Sequence, residues 1–272
     1  MLWGECRRKP EASATQVQNE PMGNAVELRG LTKRFGGVPA VDDLSLAVPQ
    51  GSFYGLVGPN GAGKTTTLSM ATGLLRPDAG EAFIEGVDVW RHPLEAKRLI
   101  GNLADGVDLY DRLTGEQLIT FSGQLFGLDR AVIAERVADL VRLLDLEGAA
   151  GRLVSDYSAG MTKKIALAAA LVHSPRVLVL DEPFESVDPV SAANIRDILD
   201  GFVKGGGTVI VSSHSMDLVQ RMCDHVAIVA AGRVLLAGTV DEVRGDGDLE
   251  TRFLELVGGR RSGESPAWLL RS

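Results

Sequence analysis

Apolar and polar residues alternate along Val26-Glu27-Leu28-Arg29 and again along Leu44-Ser45-Leu46-Ala47-Val48. A period of two is the signature of a strand with one face buried, so residues 26–57, broken by turn signals, predict strands of an antiparallel sheet. Within that stretch Phe53-Tyr54-Gly55-Leu56-Val57 is apolar without interruption and predicts a buried strand; residues 66–71 then predict a helix. Residues 81–89 predict a continuation of the sheet. From 114 to 150 the period lengthens. Leu118, Phe121, Leu125 and Phe126, then Val132, Val137, Leu140, Val141 and Leu144, recur at helical spacing and predict an insert of two or three helices. Residues 177–180 and 208–212 are too apolar for a half-solvated sheet and predict buried parallel strands. A helix is predicted between them over about 190–203, stopped by Gly205-Gly206-Gly207. Residues 226–229 and 234–237 flank Ala231-Gly232-Arg233, a hairpin signal.

These elements organise the chain. Residues 1–22 are polar and rich in small residues, which predicts a disordered extension. Residues 23–245 form the predicted main domain, with the helical subdomain at about 105–160, and 246–272 are predicted to be a C-terminal helix with a loose tail. No internal repeat is found. The 272 residues, 45% hydrophobic, are ample for such a core.

Charge narrows the function. A net charge of -8 and a pI near 5.1 lack the basic footprint of a nucleic-acid binder, so no nucleic-acid partner is expected. The two cysteines, Cys6 and Cys223, fall in a predicted tail and a predicted helix, which argues against a disulfide framework. No run of 18 apolar residues occurs, and no apolar segment follows Arg7, Arg8 and Lys9 as a secretory signal requires. A role at a membrane would need docking through another chain.

Candidate chemistry is concentrated at four places. Gly58-Pro59-Asn60-Gly61-Ala62-Gly63-Lys64-Thr65 fits the pattern G-x-x-x-x-G-K-[ST], between a predicted strand and a predicted helix opening at Thr66. The glycines let successive N–H groups point at phosphate oxygens, and the positive helix end adds to that field. Lys64 then reaches the β- and γ-phosphates and the Thr65 hydroxyl ligates Mg²⁺. The second place is Asp181-Glu182, directly after an apolar strand. Asp181 suits the metal, and Glu182 suits a base that takes a proton from attacking water. The third is Ser158 in Tyr157-Ser158-Ala159-Gly160-Met161. A helix N-cap and an anion site at a helix start are equally compatible with it. The fourth is His214 at a strand end, placed either to meet a γ-phosphate oxygen or to serve the structure.

The order of these motifs resembles the nucleotide-binding subunit of an ABC transporter over residues 24–245. The resemblance implies an α/β fold: a P-loop NTPase, RecA-like core with an antiparallel β subdomain and an α-helical subdomain. It implies an ATPase using ATP and Mg²⁺, paired head to tail with a second ATPase subunit, a homodimer or a related chain. Each ATP then lies between Lys64 of one subunit and Ser158 of the other. Residues 157–161 match the family's L-S-G-G-Q signature at Ser158 and Gly160 and depart at the other three positions. Tyr157 and Met161 are similar to many drug- and antibiotic-export members, whose transmembrane permease is a separate chain. Asp188 resembles the residue that communicates across the dimer, and Phe35 the aromatic that stacks on adenine. Asp105 stands where members usually carry Gln, a ligand of Mg²⁺ and of the attacking water. The implied place of work is the cytoplasmic face of the cell membrane, with export as the direction. The departures at Asp105 and in the signature also leave open a regulatory, low-turnover module. A soluble ABC protein is a further alternative.

Overall fold

The computed structural model describes residues 23–104 and 110–257. The predicted tails and the position of Asp105 therefore lie outside the described residues. In chain order the elements are β1 (Asn24–Phe35), β2 (Val38–Pro49), β3 (Phe53–Val57), α1 (Lys64–Ala71), β4 (Ala79–Ile84), β5 (Val87–Asp88), α2 (Pro93–Leu99) and β6 (Ile100–Leu103). The helical insert follows as α3 (Gly115–Leu125) and α4 (Arg130–Leu143). The core then resumes with α5 (Ala159–Leu171), β7 (Val177–Leu180), α6 (Pro189–Lys204), β8 (Thr208–Ser213), α7 (Met216–Met222), β9 (His225–Ala230), β10 (Arg233–Thr239), α8 (Val240–Arg244) and α9 (Leu249–Leu256).

Two sheets result. One is antiparallel in the order β2-β1-β4-β5; the other runs β10-β9-β3-β8-β7-β6, parallel except for the terminal β9–β10 hairpin. The expectation that residues 26–57 all belong to the antiparallel sheet is corrected here. β3 leaves it and pairs in parallel with β8, Phe53 opposite Val209, and with β9, Tyr54 opposite His225. The physical reason is burial on both faces. All five residues of β3 are buried, whereas β1 and β2 alternate.

Period two persists beneath those apolar runs. Phe53, Val57, Leu178, Leu180, Val209 and Val211 face the core built with the helical insert and α5 to α7. Tyr54, Leu56, Val177, Val179 and Ile210 face the core shared with the antiparallel sheet. Helix α7 lies so close to β3 that a Cβ on Gly55 would sit 2.2 Å from a Val219 methyl. The insert begins with a capping box, in which Thr114 and Gln117 satisfy each other's N–H groups. It packs through Leu118, Ile119, Ile133 and Val137. α9 belongs to the same body, since Leu249 is fully buried and Phe253 and Leu256 pack on the same core.

Candidate nucleotide site

The loop of residues 58–63 leaves the carboxyl end of β3 and enters α1. Parallel pairing sets the carboxyl ends of β3, β7 and β8 side by side, so Gly58, Asp181 and His214 emerge from one edge, the usual place for a ligand in such a sheet. The loop's glycines are dictated by contact. A Cβ at Gly58 would lie 2.1 Å from the Val229 carbonyl oxygen. Gly63 has φ +99° and its Cβ would meet the Ala40 carbonyl oxygen at 2.4 Å. The Ala62 carbonyl accepts the Gly232 N–H at 2.9 Å, which fastens the loop to the β9–β10 turn. Pro59, Asn60 and Gly61 are exposed, and so is Thr65 in the first turn of α1; Thr66 is half-buried. The first N–H groups of a helix lack intrahelical acceptors, so this end presents donors to an anion.

Lys64 is buried, and its ammonium donates to the Gly58 carbonyl at 2.8 Å. The same ammonium lies 3.6 Å from Glu182 Oε1, while His214 Nδ1 lies 3.2 Å from Glu182 Oε2. The Glu182 carboxylate is thus held between a lysine and a histidine at the mouth of the loop. Its main chain has φ +46°, the left-handed region. Asp181 is 3% exposed, its N–H donates to the Leu103 carbonyl at 2.8 Å, and its Oδ1 accepts the Ser212 hydroxyl. Ser212 also accepts the Glu182 N–H at 2.9 Å. One hydroxyl therefore orients both acidic residues. Sequence reasoning missed Ser212; its available signal was a second apolar run that gives way to polar residues at its carboxyl end, as residues 177–180 give way to Asp181.

Mg²⁺ takes hard oxygen ligands, keeps several waters, and needs only one or two protein groups beside phosphates. The Asp181 carboxylate and the exposed Thr65 hydroxyl fit that requirement. Among the described residues no group of three or more His, Cys, Asp or Glu could hold a metal by itself.

The remaining predicted residues fall elsewhere. Phe35 is 52% exposed at the tip of the β1–β2 hairpin, whose Ala40 and Val41 lie against Gly63. Ser158 is exposed and is the N-cap of α5, accepting the Met161 N–H at 3.3 Å. Asp188 caps α6, accepting the Val190 and Ser191 N–H groups at 3.0 Å each. The Ser191 N–H foremost holds its carboxyl below the ordinary aspartate range. Gly160 joins these two segments, since a Cβ there would stand 3.1 Å from both Asp188 Oδ2 and Ser191 Oγ. Among the described residues neither segment hydrogen-bonds to the phosphate loop. Tyr110 is 60% exposed and packs edge-on to Phe121, with ring centroids 5.2 Å apart, and Leu113 is half-buried on the core.

Comparison with known proteins agrees with this geometry. The family model described as ABC transporter matches residues 41–185. The chain is 39% identical to the daunorubicin/doxorubicin resistance ATP-binding protein DrrA of Streptomyces peucetius, over 81% of this chain and 67% of that protein. It is 33% identical to the probable multidrug ABC transporter ATP-binding protein YbhF of Escherichia coli, over 89% of this chain but 43% of YbhF. A solved structure of the ATP-binding subunit of an ABC transporter superposes with a TM-score of 0.80 at 27% identity, covering 86% of this chain and 99% of the other. The chain therefore belongs to the ABC transporter family as an ATP-binding, ATPase subunit.

Proposed function

We propose that this chain hydrolyses Mg-ATP in a head-to-tail pair of ATPase subunits and powers a transmembrane permease carried on a separate chain, in the direction of export. The observation that carries the reading is the Glu182 carboxylate held between Lys64 and His214 beside the phosphate loop. The loop N–H groups from 60 to 66 and Lys64 bind the phosphates. A phosphate oxygen competes with Glu182 for the Lys64 ammonium and so frees the carboxylate. Glu182 takes the proton of the attacking water, and His214 turns to hold the γ-phosphate oxygen. Thr65 and Asp181 would hold Mg²⁺, which would supply charge neutralisation for the phosphate oxygens. Phe35 stacks on the adenine. Ser158, Gly160 and Asp188 of a second subunit, an identical copy, close the site over the γ-phosphate.

Names of relatives support the direction. DrrA is a drug-resistance ATP-binding protein and YbhF a probable multidrug one. No described helix is long and apolar enough to cross a membrane, so work at the cytoplasmic face of the membrane rests on the permease. The docking contact is placed near Tyr110 and Leu113, where an exposed aromatic adjoins the insert.

Glu182→Gln tests the reading. Turnover should fall by about 10²–10⁴ while ATP binding survives and an ATP-dependent dimer accumulates on size exclusion. Turnover at the parent rate would move the base elsewhere. With the permease coexpressed, Tyr110→Asp should release the chain from membranes without lowering its melting temperature. A chain found only in the soluble fraction before substitution would defeat the transport reading.

A further inference from the structure

Glu182 must present its carboxylate to one spot, yet its backbone occupies a conformation that a non-glycine residue adopts only where its surroundings hold it. Lys64 and His214 hold its side chain, and among the described residues its main chain is held by three partners. The Glu182 N–H donates to Ser212 Oγ at 2.9 Å, which anchors it to β8. Its carbonyl accepts the Glu185 N–H at 3.2 Å, a bond within the same turn. The same carbonyl accepts the Lys163 ammonium at 3.1 Å. Lys163 stands on α5, the helix that begins at Ser158. It therefore ties that helix to the main chain of the acidic residue.

Lys163 also has a second setting. It lines a groove of about 810 Å³ between the helical insert and the core, walled by Leu94 of α2, Leu125 of α3, Leu103 of β6 and Ala166 of α5. Lys163 thus borders an open, largely apolar groove and also holds the turn that aims Glu182. A charge-assisted hydrogen bond to a carbonyl is stronger and shorter than a neutral one, so a lysine suits the task better than a neutral donor of equal reach.

We propose that Lys163 is a positioning residue for hydrolysis. It holds the Glu182 turn in its left-handed conformation and links that turn to the wall of the groove and to the start of α5. The proposal rests on Glu182 acting as the base. It assigns Lys163 no contact with nucleotide. A displacement of α5, or of whatever enters the groove, reaches the Glu182 turn through the ammonium–carbonyl bond of Lys163.

The experiment compares the full-length parent with Lys163→Met, Lys163→Arg and Glu182→Gln. Lys163→Met keeps the length of the side chain and removes the donor. A small misplacement of a reacting group costs up to about a hundredfold, so kcat for Lys163→Met should fall roughly ten- to a hundredfold. KM and nucleotide affinity should stay within about twofold, because the phosphate loop is untouched. Lys163→Arg should recover most of the rate. Hydrogen exchange, read without any turnover, should quicken in the 181–187 segment of Lys163→Met, by roughly tenfold where local opening limits it, and return toward the parent in Lys163→Arg. Parent-rate turnover in Lys163→Met would overturn the proposal. So would an unchanged 181–187 exchange, or a rise in KM together with a lowered melting temperature in both lysine variants, which marks a merely structural residue. If Glu182→Gln turns over normally, the assignment of the base fails instead, and the exchange measurement still decides whether Lys163 holds the turn.

Discussion

The phosphate-loop end and the Ser158–Asp188 end of this molecule are built on opposite plans. At the first, charges are buried and paired across elements: Lys64 with Glu182, Asp181 with Ser212, the loop itself against Ala40, Val229 and Gly232. At the second, the polar groups are exposed and satisfied within their own helices, Ser158 by Met161 and Asp188 by Val190 and Ser191. The first is preorganised, and a ligand entering it meets positive charge already in place. The second is a surface with small residues and helix starts, and under the proposed function it meets a phosphate only when a second subunit is apposed to it. A substitution at one end should therefore change nucleotide affinity in a single chain; at the other it should change association.

The largest break in affinity is expected at Lys64. Lys64→Ala removes a charge-assisted interaction of about 1.5–3 kcal/mol, which is roughly ten- to a hundredfold in Kd. Titration with a fluorescent nucleotide measures it, and an affinity equal to the parent's would contradict the preorganised half of the comparison.

Gly58→Ala probes the cradle without altering charge. Its Cβ would lie 2.1 Å from a backbone oxygen that belongs to β9, so the loop must shift. Overpacking of this kind costs about 1–3 kcal/mol, visible as a lower melting temperature together with weaker nucleotide binding. Gly61→Ala is the control for space. No atom lies within 4 Å of its added Cβ, so any cost there comes from its φ of +79° alone.

Ser158→Ala sharpens the other half. Loss of the N-cap should cost about 0.5–2 kcal/mol of stability. Nucleotide affinity of the single chain should stay at the parent value, and ATP-dependent dimerisation, followed by light scattering, should weaken. If dimerisation is unaffected, Ser158 is a cap and nothing more.

The smallest effect is a pH dependence at Asp188. Its carboxyl is held below the ordinary aspartate range, chiefly by the Ser191 N–H. A depressed carboxyl stabilises the fold above the unfolded pKa, and that contribution disappears as pH falls through the folded value. The difference in melting temperature between the parent and Asp188→Asn should therefore be constant near neutrality and shrink below about pH 4. A difference that persists at the lowest pH would show that the charge has no part in the cap.

Much of this could be read along the chain, and the reasons are local. The phosphate loop is contiguous, and its glycines stand where a Cβ has no room or where φ is positive, so backbone chemistry is written directly in residue type. The helical insert was legible because Val137, Val141 and Leu144 repeat at helical spacing and face the same core as Leu118. The end of α6 was legible in Gly205-Gly206-Gly207, since the helix stops at Lys204 with Gly205 as its cap.

Tertiary structure alone decided the rest. An unbroken apolar run does not say which sheet a strand joins, so β3 was assigned to its parallel neighbours only by burial on both faces. The parallel register of β7 on β8, Leu180 opposite Val211, sets Ser212 beside Asp181 and Glu182. The bond from Lys163 to the Glu182 carbonyl depends on how α5 packs over that strand end. Lys64 and Glu182 meet because two strands separated by the whole helical insert lie in one sheet. Local periodicity encodes which face of an element is buried; it carries no term for which distant element supplies the partner.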